Sequence, residues 1–284
     1  MQENKSEKLR RLLFSGNTLI MPDAYDPITA RIIEYCGFEA VQCSGYSFSL
    51  ASCYGRESDF SRAEHLDVTA KIVNAVDIPV MADGEDGFGG PEDVAATIKE
   101  FIGAGVAGIN IEDQIQGTRN AVKIIDARLM ADKIKAARAA AIAAGNPILV
   151  INGRTDALLS EDNRSEALKK AIDRANTYLE AGADLAFVVY VASLEEVKTL
   201  VKEIRGPVSI AAGLAYNMRA FSINQLVECG VARVSLPTVA IMSAIRAVTG
   251  AFTHIRKRGE FSELIEAGVL ATPEEFRQIL FHGK

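Results

Sequence analysis

Short apolar runs of strand length recur along the chain, separated by longer stretches of mixed polarity. Four segments share one pattern: "EYCGFEAVQCSG", "GAGVAGINIED", "EAGADLAFVVY" and "ECGVARVSLPT". Each closes a helical pattern with Gly, turns briefly, and enters a β-branched apolar run. Gly suits the left-handed position just past a helix, and a strand can follow within a few residues. Further runs at "TLIMP" (18–22), "IPVMAD" (78–83), "PILVING" (147–153) and "PVSIAA" (207–212) complete a set of eight, starting near positions 18, 40, 79, 108, 148, 185, 207 and 232. Their near-continuous apolar character predicts parallel strands buried on both faces.

Between these runs lie helical patterns such as "PEDVAATIKEFIGAG", which opens with Pro91 at a first-turn position, and "SEALKKAIDRANTYLEAG". Eight strand–helix units in a chain of 284 residues predict an α/β fold of the (β/α)8 barrel type. An open doubly wound sheet would place a glycine fingerprint after the first strand, and "IMPDAYDP" has none. No linker or shift of composition divides the chain, so a single barrel domain over 1–284 is expected. It would be flanked by an N-terminal helix near 4–14 and a helical tail over about 259–284.

Charge changes the picture mainly by exclusion. A net charge of -6 and the lack of a Lys/Arg block argue against a nucleic-acid partner. No apolar run approaches a membrane span, and the start shows no signal-peptide core, so no membrane partner and a cytoplasmic location are expected. Cys36, Cys43, Cys53 and Cys229 lack metal-binding or disulfide-framework spacing and read as reduced core thiols. His65, on the helix after the second strand, and His254 and His282, in tail segments, read as surface or interface residues.

The candidate chemistry sits where strands end, the face that carries the active site in such barrels. "MADGEDGFGG" ends the third strand with Asp83 and Glu85, "INIED" ends the fourth with Glu112 and Asp113, and "INGRTD" ends the fifth with Arg154 and Asp156. Residues two apart on a strand share a side, so Asp83 and Glu85 face the same way, with Glu112 on a neighbouring strand. Three converging carboxylates call for a cation, and oxygen donors without Cys or His favour Mg²⁺ or Mn²⁺. Capping of the following helices is the plain alternative for loop acids, and it suits Asp26 and Asp126 well. Arg154 suits a two-point clamp on a substrate carboxylate, or an ion-pair partner for the same acids. Thr118 and Arg119, with Asn120, lie on a Gly117-containing loop placed to close over a substrate.

The motifs "DAYDPITARIIEYCGFEAVQCSG", "MADGEDGFGG", "INIEDQ" and "INGRTDALL", in order over about residues 8–255, resemble the strand-end motifs of the isocitrate lyase/phosphoenolpyruvate mutase superfamily. The resemblance implies a (β/α)8 barrel and bound Mg²⁺. It also implies making or breaking of C–C or P–C bonds beside a 2-oxo or 2-hydroxy carboxylate, and a homotetramer with exchanged helices. It places Asp83, Glu85 and Glu112 on the metal side, with Glu57 of "YGRESDF" near the metal shell. It assigns Tyr25, Ser44, Gly45 and Arg154 to the substrate, and aligns Asn120 with a loop Asn of the phosphonomutase branch.

The same loop departs from the family. "EDQIQGTRNAVKIIDARLM" holds no Cys and no His, whereas the isocitrate and methylisocitrate lyases carry a Lys-Arg/Lys-Cys-Gly-His run whose thiol is the acid. The expected activity is therefore a Mg²⁺-dependent lyase acting on a small anionic 2-oxo or 2-hydroxy carboxylate through a metal-stabilised enolate. A phosphoenolpyruvate/phosphonopyruvate phosphomutase and a non-catalytic 2-oxo-acid-binding barrel are the alternatives. The apolar helix near 237–257 suits subunit contacts.

Overall fold

In the computed structural model, which describes residues 4–117 and 122–281, α1 (Lys5–Leu13) precedes eight strand–helix units. β1 (Leu19–Ala24) leads to α2 (Pro27–Tyr35), β2 (Val41–Cys43) to α3 (Gly45–Ala51) and α4 (Arg62–Ala75), and β3 (Val80–Asp83) to α5 (Pro91–Gly103). β4 (Gly108–Glu112) leads to α6 (Ala127–Ala143), β5 (Val150–Thr155) to α7 (Arg164–Glu180), and β6 (Leu185–Val188) to α8 (Leu194–Glu203). β7 (Val208–Ala211) leads to α9 (Ile223–Glu228) and β8 (Arg233–Leu236) to α10 (Val239–Arg258), followed by α11 (Ser262–Glu266) and α12 (Pro273–Phe281).

Every strand pairs in parallel with the next, and β8 returns to β1 with Leu19 opposite Arg233 and Pro22 opposite Leu236. The sheet is a closed barrel of eight strands, the (β/α)8 fold expected, and each strand starts within two residues of its expected position. The four repeated joints owe their shape to glycine. Gly37, Gly105, Gly182 and Gly230 have φ of 86°, 87°, 110° and 79°, values that a side chain would resist. Helix starts are equally well specified: Asp26 caps α2 ahead of Pro27, and Ser61 with Glu64 closes a capping box on α4.

The bottom of the barrel is sealed by α1. Leu9 and Leu13 pack with Leu19, Met81, Ala107 and Val150 near the strand starts. That leaves the opposite end, where the strands finish, for chemistry. The interior between them is less apolar than the sequence implied. Arg233 is wholly buried, donating to Ser209 Oγ (2.8 Å) and Gln42 Oε1 (2.5 Å) with its guanidinium 5.3 Å from the Phe187 ring centroid. Asn152 donates to Asn110 Oδ1 at 2.7 Å, a polar rung between β5 and β4. The cysteines also differ from expectation. All four are free thiols, but only Cys43 is buried; Cys36 lies at the end of α2 and Cys53 in the loop after α3, and both are exposed. Short helices and their loops leave those two positions outside the packed layers.

Candidate active site

β3 runs out into a tight turn in which Glu85 takes a left-handed backbone, φ 48°. Non-glycine residues accept that conformation at a cost, and such residues concentrate at functional sites. Asp83 is held from two sides, by the Gly45 N–H (3.0 Å) and the Glu85 N–H (3.3 Å). Glu57 approaches from a short 3-10 turn, Glu57–Asp59, so that Glu57, Asp83 and Glu85 each bring one oxygen within 4.8 Å of the others. Glu112 stands beside this trio and is linked to it by Gln116, whose Nε2 donates to Glu112 Oε1 (2.6 Å) and Glu85 Oε2 (2.9 Å).

Crowding of acids shows in their proton affinities. Burial, then Glu57, Asp83 and Glu112, holds the Glu85 carboxyl well above its ordinary range. Burial acts likewise on Glu112, partly opposed by Arg154. Glu57, half-buried, is pushed up to about 7 by burial and by Asp83. A cluster of this kind holds protons in place of a cation and gives them up when a cation arrives. An all-carboxylate donor set with the neighbouring acid Glu112 fits a hard divalent ion. Gln116 touches the cluster without a charge, and the positive charge beside it is that of Arg154, paired with Glu112 at its edge.

Arg154 pairs across the rim. β4 and β5 set Glu112 opposite Arg154 in register, and Glu112 Oε2 lies 2.5 Å from Arg154 Nη1. Asp156 grips the same guanidinium at two points, Nε to Oδ2 (3.0 Å) and Nη2 to Oδ1 (2.9 Å). Burial by itself would lower the Arg154 pKa, but Asp156 and Glu112 outweigh it and hold it well above normal. Of the five N–H groups of a guanidinium, two are hydrogen-bonded to Asp156, while Glu112 Oε2 holds Nη1 as an ion pair without a hydrogen bond among the described residues.

Other residues singled out in the sequence fall as follows. Ser44 is buried and caps α3 through the Ser47 N–H (3.3 Å), while the Gly45 N–H is committed to Asp83. Tyr25 is half-buried at the end of β1, and Asp26 is a helix cap. Asp113 turns away from the barrel mouth into a structural network with Tyr178 Oη (2.6 Å), Thr155 Oγ1 (2.7 Å) and Arg174 Nη1 (3.0 Å). Asp86 accepts the Phe88 N–H and serves the turn. Thr118, Arg119 and Asn120 lie outside the described residues, as does His282.

Three sets of contacts were not anticipated. His65 is wholly buried rather than at the surface, because α4 turns it inward against Phe48, Phe60 and Phe88. Gln116 bridges two acids, although a loop Gln carries no sequence signal of that kind. Tyr190, at the end of β6 with φ 64°, stacks on Tyr216 with ring centroids 5.4 Å apart and gives its N–H to the Tyr216 hydroxyl (3.2 Å). Burial raises both phenols, Tyr216 to about 12, so they stay protonated donors at neutral pH.

With this geometry in view, comparison with known proteins is informative. Over 210 residues the chain is 35% identical to the 2,3-dimethylmalate lyase of Eubacterium barkeri, spanning 72% of this chain and 69% of that protein. It is 30% identical over 268 residues to the 2-methylisocitrate lyase of Halalkalibacterium halodurans, spanning 91% and 84% respectively. A crystal structure of phosphonopyruvate hydrolase with oxalate and Mg²⁺ superposes with a TM-score of 0.84 at 26% identity, covering 98% of this chain and 95% of that one. The family model described as phosphoenolpyruvate phosphomutase matches residues 9–256, and the chain therefore belongs to the isocitrate lyase/phosphoenolpyruvate mutase superfamily.

Proposed function

We propose that this protein is a divalent-cation-dependent lyase that cleaves a C–C bond in a small 2-oxo or 2-hydroxy carboxylate. The observation that carries the proposal is the pairing of the Glu57, Asp83 and Glu85 oxygens, within 4.8 Å of one another, with an arginine held two strands beyond β3, on β5. Those three acids, with Glu112 at their edge, would hold Mg²⁺ or Mn²⁺. When bound, the ion supplies the charge that polarises a 2-oxo group and stabilises an enolate left by bond cleavage. Arg154 orients the substrate: Asp156 and Glu112 fix its plane, and N–H groups not held by Asp156 take the carboxylate. Ser44, Gly45 and Tyr25 complete the wall beside it, and the Tyr190–Tyr216 pair faces it from β6 and β7. On sequence grounds Thr118, Arg119 and Asn120 belong to the same proposal as groups closing over the substrate.

The substrate class is narrowed by the loop after β4, which holds neither Cys nor His. That argues for small dicarboxylates of the oxaloacetate or alkylmalate type rather than methylisocitrate. A phosphomutase would use the same acids, and the family model's description together with Asn120 favours it as the second reading. The four free cysteines support a cytoplasmic location, and among the described residues no helix is long and apolar enough to cross a membrane. The exposed row Val239, Met242, Ile245, Val248 and Phe252 on α10 supports a homo-oligomer, with a tetramer as the expected form.

The test is a substrate panel with metal-stripped protein. Oxaloacetate, 2,3-dimethylmalate and phosphonopyruvate are incubated with and without Mg²⁺, with products followed by proton and phosphorus NMR. Cleavage that requires Mg²⁺ and stops with EDTA is expected. Turnover indifferent to EDTA would refute the metal's role. Binding without turnover across the panel would leave a 2-oxo-acid sensor, and phosphoryl migration would establish the mutase.

A further inference from the structure

His65 has no partner for its polarity among the described residues. It is wholly buried, and neither Nδ1 nor Nε2 makes a hydrogen bond to them. Phe60, Phe88 and Phe48 enclose the ring edge-on, with centroids 4.9, 5.4 and 5.6 Å away. A buried imidazole in an aromatic box is costly unless one of its nitrogens finds a partner. One direction offers such a partner: Nε2 lies 3.5 Å from Glu85 Oε1, a carboxylate oxygen that is itself buried and unbonded. The two orphans face each other a few tenths of an ångström beyond normal hydrogen-bond length.

Glu85 is an unusual choice at its position. Its left-handed backbone, φ 48°, is accepted more readily by Asp than by a longer side chain. Room for the extra methylene comes from Gly45, where a Cβ would stand 1.8 Å from Glu85 Oε1 and 2.6 Å from His65 Cε1. Gly45, Glu85 and His65 thus form one unit: a vacated space, a long acid that enters it, and an imidazole at its back. The other carboxylate oxygen, Oε2, is turned toward Gln116 and Glu112.

We propose that His65 is a positioning residue, whose Nε2–H holds Glu85 Oε1 so that the Glu85 carboxylate is presented to a divalent cation in a fixed orientation. The proposal rests on the reading of the acid cluster as a cation site. A neutral imidazole has one N–H donor, and placing it on Nε2, toward Glu85 Oε1, leaves Nδ1 bare among the phenylalanine rings.

The test measures metal affinity rather than turnover. Mn²⁺ is titrated into the metal-stripped full-length protein and read by electron paramagnetic resonance, for wild type, H65L, H65Q, E85D and H65L/E85D. Losing the support of a ligating carboxylate typically weakens metal binding about 10- to 100-fold, so H65L is expected to raise the Mn²⁺ Kd about tenfold or more. H65Q, whose amide reaches the same oxygen, is expected to recover most of that loss. In the E85D background the same H65L change is expected to move Kd less than about twofold, because Asp is too short to reach His65. Unchanged affinity in H65L, or an equal loss in both backgrounds, would overturn the proposal and leave His65 a core residue. If H65L does not fold, H65F keeps a ring in the aromatic box and takes its place in both backgrounds. Wild-type protein that binds no Mn²⁺ would overturn the cation site itself, and the role of His65 with it.

Discussion

Asp23 offers a measurable test of the charge balance inside the barrel. It is 4% exposed, accepts from Ser235 Oγ at 3.0 Å, and is pushed up to about 8 by burial, with Arg233 pulling it down and Asp83 raising it further. An unfolded Asp titrates near 3.9. Between those two values the folded protein holds a proton that the unfolded chain releases. The resulting stability is fully present below about pH 4 and is lost as pH rises through about 8. The slope is about −1.4 kcal/mol per pH unit, which amounts to roughly 4 kcal/mol by pH 7.

Asp23→Asn keeps an oxygen for Ser235 and removes the titration. Its stability relative to wild type should therefore climb steadily from pH 5 to pH 8 and level off above. Urea denaturation at each pH unit, followed by circular dichroism, reads this difference directly. The opposing possibility is that Asp23 is ionised and paired with Arg233, itself lowered to about 10 by burial. In that case Asn would be destabilising by an amount nearly constant from pH 5 to pH 8, because Asp23 would be ionised in both folded and unfolded chains throughout that range. That outcome, or any other pH-independent difference, would refute the reasoning.

Other consequences concern the rim. Arg154→Lys keeps the charge but loses the two-point grip of Asp156 and the fork for a carboxylate, so kcat/KM should fall about 100-fold while far-UV circular dichroism is unchanged. Asp83→Asn removes one of the crowded charges: Mn²⁺ binding should weaken at least tenfold in a titration, while the metal-free variant melts no lower than wild type. Gly45→Ala would set a methyl 1.8 Å from Glu85 Oε1. It should displace that carboxylate by more than about 1 Å and reduce turnover about 100-fold, with thermal melting reporting a loss of about 1–3 kcal/mol.

Much of the site was legible because strand ends are legible. Asp83, Glu85, Glu112 and Arg154 directly follow apolar runs, and parallel strands in a barrel bring their ends to one rim. The Gly-to-strand joints fixed where those runs begin, since left-handed backbone at Gly37, Gly105, Gly182 and Gly230 is a local requirement. Glu57 was reached through family resemblance alone. It sits in a loop with no periodicity, and only the barrel brings it 26 residues along the chain to Asp83.

What the sequence alone determined was order: eight apolar runs, the turns between them, and the acids and arginine at their ends. Those follow from short-range rules of hydrophobic spacing and backbone preference. Tertiary structure decided which polar groups meet. It turned Asp113 outward to Tyr178 and Arg174, drew Asp156 and Glu112 onto Arg154, buried Arg233 in the barrel, and set His65 behind Glu85. Side-chain partners of this kind depend on strand tilt and on the face each helix turns inward. Neither is written in the spacing of hydrophobic residues, because one pattern of buried positions is compatible with many pairings of the polar groups carried among them.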